Sequence, residues 1–94
     1  MNPVIENHRQ DIIDLAVIRG LMNIRVFGSM SRDDAGPDSD VDLLVELDKG
    51  ATGLALGGFL MDVSDLLGRK VDVVTENALH PKIRTKVLKE ALYL

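Results

Sequence analysis

The sequence predicts an α/β (α+β) fold, a small three-stranded mixed sheet flanked by helices. Asn23–Phe27, Asp40–Leu47 and Lys70–Thr75 are short runs rich in Val, Ile and Leu, the composition of strands. Between and around them, apolar residues recur at the three-to-four spacing of amphipathic helices. A full helix separates the second and third runs, which suits a parallel pair with a right-handed crossover. Only a polar, turn-rich stretch separates the first and second, which leaves that pair free to be antiparallel.

Each element has its own reason. Asn2 can cap a first helix and Pro3 stands at its first helical position. Ile5, Ile12, Ala16 and Val17, with Ile13 beside them, form its apolar stripe, and Gly20 ends it. The first strand alternates as Asn-Ile-Arg-Val-Phe and runs directly into Gly28-Ser29. A polar segment then closes on Gly36-Pro37-Asp38 before the second strand begins. Leu56, Phe59, Leu60, Val63, Leu66 and Leu67 keep helical spacing, with Gly68 as the stop. After the third strand, His80-Pro81 opens a last helix with Ile83, Val87, Leu88 and Ala91 on one face. Its other face is basic, with Lys82, Arg84, Lys86 and Lys89.

Composition narrows the classes of function. The 94 residues suit a single domain spanning residues 1–94, and a hydrophobic content of 46% is that of a globular chain. Without cysteine there is no disulfide and no thiolate metal site. No apolar run approaches the roughly 20 residues that span a bilayer, so the expectation is a soluble, cytoplasmic protein with no membrane contact. The formal charge of −4 is uneven: residues 1–48 hold ten acids and four bases, residues 49–94 five acids and seven bases. An acidic first half does not suit a nucleic-acid binder, which needs a basic stripe. It does suit a domain that gathers divalent cations. So small a core, ending in the apolar Leu92-Tyr93-Leu94, suggests association with itself or with a partner chain.

The chemistry concentrates in residues 28–42. Asp40 and Asp42 are two apart on a predicted strand, so both carboxylates project from one face while Val41 and Leu43 take the other. Two adjacent acids repel each other, and hard Mg²⁺ prefers carboxylate oxygens. Such a pair is what a two-metal site uses along an in-line phosphoryl displacement. Gly28-Ser29, at a strand end, allows close approach of backbone to a phosphate and supplies amide and hydroxyl donors. Arg32 adds positive charge one turn later. Asp72, an acid within Val71-Asp72-Val73-Val74, is the third carboxylate candidate, able to face the same ions and to accept a proton from an attacking hydroxyl if its strand neighbours the second.

Gly-Ser, ten intervening residues (30–39) and Asp-x-Asp resemble the signature of the DNA polymerase β-like nucleotidyltransferase superfamily. The flanking Arg25-Val26-Phe27, Pro37-Asp38-Ser39 and Leu43-Leu44-Val45 fit it as well. Leu67 to Val74 resembles that family's third-carboxylate strand, and Leu79 to Ala91 resembles the tail of its minimal subgroup. The resemblance implies a palm-like nucleotidyltransferase fold. It implies that Asp40, Asp42 and Asp72 hold two Mg²⁺ ions and carry catalysis, and that Gly28, Ser29 and Arg32 hold the triphosphate of ATP. It further implies a protein adenylyltransferase acting as an antitoxin, moving AMP from ATP to a tyrosine hydroxyl of a HEPN-domain ribonuclease toxin. Where the family often reads Ala-Arg-Gly this chain has Ser31-Arg32-Asp33, so a side chain and a negative charge stand near the triphosphate site.

Rival readings meet specific obstacles. Asp38, Asp40 and Asp42 fall on the first, third and fifth positions of a calcium loop, but Leu43 stands where its glycine belongs and Lys49 where its glutamate belongs. There is no Gly-Lys-Ser/Thr element, which excludes a P-loop. Neither His8 nor His80 follows an arginine at the spacing of HEPN ribonucleases, so the chain does not resemble the toxin. Two other functions remain as alternatives: an antitoxin that neutralises by occlusion with little turnover, and a nucleotide-sensing regulatory subunit.

Overall fold

The computed structural model describes residues 1–94. In chain order the elements are α1 (Pro3–Asn7), α2 (Arg9–Ile18), β1 (Leu21–Phe27), α3 (Ser29–Arg32), β2 (Val41–Leu47), α4 (Leu54–Leu67), β3 (Val71–Thr75), a 3₁₀ turn (Glu76–Ala78), α5 (Pro81–Glu90) and β4 (Leu92–Tyr93). They form a mixed sheet of order β3-β2-β1-β4, with β2 and β3 parallel and both β1 pairings antiparallel. No helix is long and apolar enough to cross a membrane.

The sheet separates two apolar clusters, as the side-chain alternation of β2 requires. Val41, Leu43 and Val45 pack with Val26 of β1, Ile12 and Ala16 of α2, and Phe59 and Val63 of α4. Leu44 packs on the other side with Leu79 and Val87, joined by Phe27 and Val74. At about 25 cal/mol per Å² of apolar surface removed from water, this two-sided burial is the main force holding β2 at the centre. α4 lies against α2 through Gly58, where a Cβ would stand 2.6 Å from an Arg19 guanidinium nitrogen. That guanidinium donates to both Asp62 carboxylate oxygens, at 2.8 and 3.1 Å.

Four expectations change. The sheet has a fourth strand, because Leu92 and Tyr93 pair with Val26 and Arg25 at its edge. The first helix is two: the His8 ring Nδ1 donates to the Val4 carbonyl at 2.8 Å, while the His8 amide turns to Ile5 at 3.1 Å. That substitution of ring for backbone breaks the ladder without any Gly or Pro. The stripe is narrower than expected: Ile5, Ile12 and Ala16 are buried, while Val17, one residue and about 100° around α2 from Ala16, is 69% exposed. Finally, β2 and β3 begin at Val41 and Val71, leaving Asp40 and Lys70 immediately outside them.

Candidate active site

The site forms where β1 ends and where β2 and β3 begin. Antiparallel pairing sets Phe27 opposite Asp42, and parallel pairing sets Asp42 beside Asp72. One row across the sheet therefore brings the Gly28 turn, Asp42 and Asp72 together from three separate parts of the sequence. Asp42 is half-buried and Asp72 exposed, because β3 is the sheet edge and its site face is uncovered there.

Gly28 takes φ +71 and ψ −153 as the chain leaves β1 for α3, a combination reserved almost entirely for glycine. A Cβ there would lie 2.5 Å from Asp42 Oδ2. The Gly28 carbonyl accepts from Ser31 Oγ at 2.8 Å and from the Ser31 and Arg32 amides at 3.1 and 3.2 Å. Ser31 is thus structural, fastening the short helix that carries Arg32 to the end of β1. Met30 is fully buried and anchors the same helix in the core. No hydrogen bond within the chain engages the Ser29 hydroxyl.

Arg32 donates to Glu90 at 2.9 Å and to Asp34 at 3.1 Å. These bonds, Glu90 first, raise its pKa above the ordinary arginine value and keep it cationic. The Gly28 amide donates to the other oxygen of Glu90, at 3.1 Å. This donor is thereby engaged within the chain, and Gly28 contributes to the site through its backbone shape and its missing side chain.

Asp40, Asp42 and Asp72 are neighbours, yet no group of three acidic or histidine side chains converges on a single ligating point. Asp40 Oδ2 instead faces Lys70 Nζ at 3.7 Å, an exposed contact across the start of the parallel pair. The donor set still fits a hard divalent cation, being all oxygen, with three carboxylates set against the two cations Lys70 and Arg32. Burial first, then Asp72 and Asp40, push the Asp42 carboxyl above the usual carboxylate range, with Arg32 opposing them. A cation would relieve that imbalance. Pro37, Asp38, Ser39, Asp40, Gly68, Arg69 and Lys70 line an adjoining polar cleft of about 200 Å³.

The sequence reading overlooked two participants. Lys70 carries its signal in register, lying beside Asp40 once the two strands are taken as parallel. Glu90 gives no local signal, because its partners are brought to it only by the packing of α5.

The family model for the nucleotidyltransferase domain matches residues 5–94. A Methanocaldococcus jannaschii protein assigned as a protein adenylyltransferase is 33% identical over 88 residues, covering 94% of this chain and 95% of that protein. The protein adenylyltransferase MntA of Thermococcus cleftensis is 37% identical over 75 residues, covering 80% of this chain and 76% of MntA. A solved structure assigned as a minimal nucleotidyltransferase superposes with a TM-score of 0.86 at 38% identity, covering 100% of this chain and 97% of that one. A toxin–antitoxin complex with AMP-PNP shares the fold at a TM-score of 0.74 and 22% identity, over 89% of this chain and 69% of that one.

Proposed function

This chain belongs to the nucleotidyltransferase domain family, and we propose that it is a Mg²⁺-dependent protein adenylyltransferase that moves AMP from ATP to a tyrosine hydroxyl of a HEPN-domain toxin, as an antitoxin. The observation that carries this reading is the row Gly28–Asp42–Asp72, in which a glycine turn abuts one carboxylate and sheet register supplies the second. The names of its relatives, which include a protein adenylyltransferase, give the donor and the acceptor class their support.

In this reading Asp40, Asp42 and Asp72 hold two Mg²⁺ ions, which would neutralise the triphosphate and lower the barrier to displacement at its α-phosphorus. The Ser29 hydroxyl and Arg32 bind phosphate oxygens, and the Gly28 turn sets the approach of the chain to them. The acceptor oxygen attacks the α-phosphorus, its bond to AMP forms, and the bond to the departing pyrophosphate breaks. Asp72, the most exposed of the three acids, takes the proton that the hydroxyl releases. The acceptor is brought by another chain, because the residues described here are spent on the sheet and its cover.

Co-expression with the adjacent gene product, followed by intact mass measurement, tests the proposal. Increments of AMP on that partner with the wild type, absent with Asp42→Asn, are expected. An unmodified partner that co-purifies and stays neutralised with both forms would instead establish occlusion.

A further inference from the structure

Glu90 ends α5, 62 residues beyond Gly28, and one carboxylate there joins two parts of the candidate site. Oε1 accepts the Gly28 amide at 3.1 Å and Oε2 accepts from Arg32 Nη1 at 2.9 Å. The side chain is only 16% exposed, against 43% for Arg32. Lys86, one helical turn back, is the ordinary surface partner for such an acid, yet the ion pair runs to Arg32.

An acid is electrostatically unwelcome at this position on two counts. The last turn of a helix disfavours negative charge, and Glu90 adds to the charge that raises the Asp42 pKa. The donors from Gly28 and Arg32 offset both. Neighbouring residues hold Glu90 in place from either side: Val87 is buried in the second cluster, and Leu92 pairs with Val26 of β1.

We propose that Glu90 is a positioning residue for triphosphate binding, acting through the Gly28 turn and Arg32 rather than by touching the nucleotide. This rests on the nucleotidyltransferase reading given above. Oε1 fixes the turn that sets Gly28 against Asp42. Oε2 holds the guanidinium from one side and leaves Arg32 further N–H groups for phosphate oxygens. Without the carboxylate, Arg32 stays paired with Asp34 alone, an exposed local contact that does not fix it relative to the turn.

The test is calorimetric titration of Mg·ATP and of AMP into wild type, Glu90→Gln, Arg32→Ala and the double variant, with thermal melts of each. Gln is isosteric but keeps a single acceptor oxygen in place of two, so it loses the carboxylate's charge and cannot serve Gly28 and Arg32 as Oε1 and Oε2 do. It is expected to weaken Mg·ATP binding about tenfold, the scale of one charge-assisted hydrogen bond. AMP binding should move less than twofold, and the effect should shrink to under twofold once Arg32 is alanine. Unchanged or tighter Mg·ATP binding by Glu90→Gln would overturn the proposal, the tighter case marking Glu90 as an anion that the triphosphate must displace. A tenfold loss that persists undiminished in the Arg32→Ala background would overturn it as well, reducing Glu90 to a folding role. Should Glu90→Gln melt below the assay temperature, Glu90→Asp, which keeps the charge, is titrated in its place against the same limits. Failure of the wild type itself to bind Mg·ATP would sink the underlying reading with it, and is distinguished by appearing before any substitution.

Discussion

Gly28 and Asp42 stand so close that no side chain fits between them: a Cβ on Gly28 would lie 2.5 Å from Asp42 Oδ2. The relationship couples the conformation of the turn to the placement of the carboxylate. Gly28→Ala therefore incurs two penalties, a backbone at φ +71 and ψ −153 and a collision with a half-buried acid. Together they are expected to cost about 2–3 kcal/mol, a fall in Tm of roughly 10–15 °C for a domain of this size. Chemical denaturation gives the energy. A cost below about 0.5 kcal/mol would mean that the turn reshapes freely and that the contact is not a constraint.

The Asp42 carboxyl predisposes the protein to a pH effect of defined sign. Its pKa is raised by burial, then by Asp72 and Asp40, so the folded state holds this proton more tightly than the unfolded chain. The associated stability is fully present below the unfolded carboxylate value and is lost as pH rises through the folded one. Asp42→Asn removes the penalty that remains at neutral pH. Its Tm without divalent cations should exceed that of the wild type by about 2–4 °C at pH 7 and by much less below about pH 3.9, the unfolded carboxylate value. Mg²⁺ should raise the Tm of the wild type and leave that of the variant nearly unmoved. Equal differences at both pH values would show that the acid pair is not under electrostatic stress.

Asp33 has a φ of +63: the chain leaves α3 through the left-handed region, which glycine enters without strain. Aspartate tolerates that region better than most residues but still incurs strain. Its compensation is an ion pair of 3.4 Å with the N-terminal ammonium, on a side chain 65% exposed, and such pairs contribute little. Asp33→Gly is thus expected to leave stability level or to raise it by about 0.5 kcal/mol. Removing the charge beside Arg32 should also strengthen Mg·ATP binding two- to threefold. Weaker binding by titration would show that Asp33 assists the site.

Gly58→Ala sets two magnitudes against each other. Alanine favours a helix interior by about 1 kcal/mol over glycine, but its methyl group would displace the Arg19 guanidinium, 2.6 Å away, from Asp62. That group is the end of a flexible, exposed side chain, and exposed pairs are typically worth 0.2–1 kcal/mol. A net change within about 0.5 kcal/mol is expected, measurable by urea denaturation. A loss above 1.5 kcal/mol would mean that the Arg19–Asp62 pair is a principal tie between α2 and α4.

The central strands were legible because their composition and alternation are strong and because turn residues bound them. The parallel sense of β2 and β3 followed from the helical connection between them, whereas the short connection between β1 and β2 only permitted the antiparallel sense they take. Asp42 beside Asp72 was legible only as far as the parallel pair was, since register is a property of the assembled sheet. β4 was not legible: two residues cannot show a period. The break at His8 was hidden because a side-chain bond, not a helix-breaking residue, makes it. Glu90 was hidden for a related reason, as charge at the end of a basic helix reads as surface until packing carries it to Arg32.

The tail that the sequence presents as an association surface is built into the sheet, and this changes what its removal should do. Leu92 and Tyr93 pair with Val26 and Arg25, the Leu94 amide donates to Ile24 at 3.0 Å, and the Tyr93 ring lies 5.3 Å from the Arg25 guanidinium carbon. Arg25 is only 5% exposed, and a partner at 3.6 Å, Glu46, offsets its charge from one side. Truncation after Ala91 would open the edge of β1, uncover the flank of Arg25 and release the end of α5 that holds Glu90. The expected result is a loss of about 2–3 kcal/mol in stability, together with weaker Mg·ATP binding through the freed Glu90. Melting, nucleotide titration and light scattering on the truncated chain separate the cases. A protein of unchanged Tm and nucleotide affinity whose assembly alone is lost would show that the tail serves association and that its pairing with β1 is incidental.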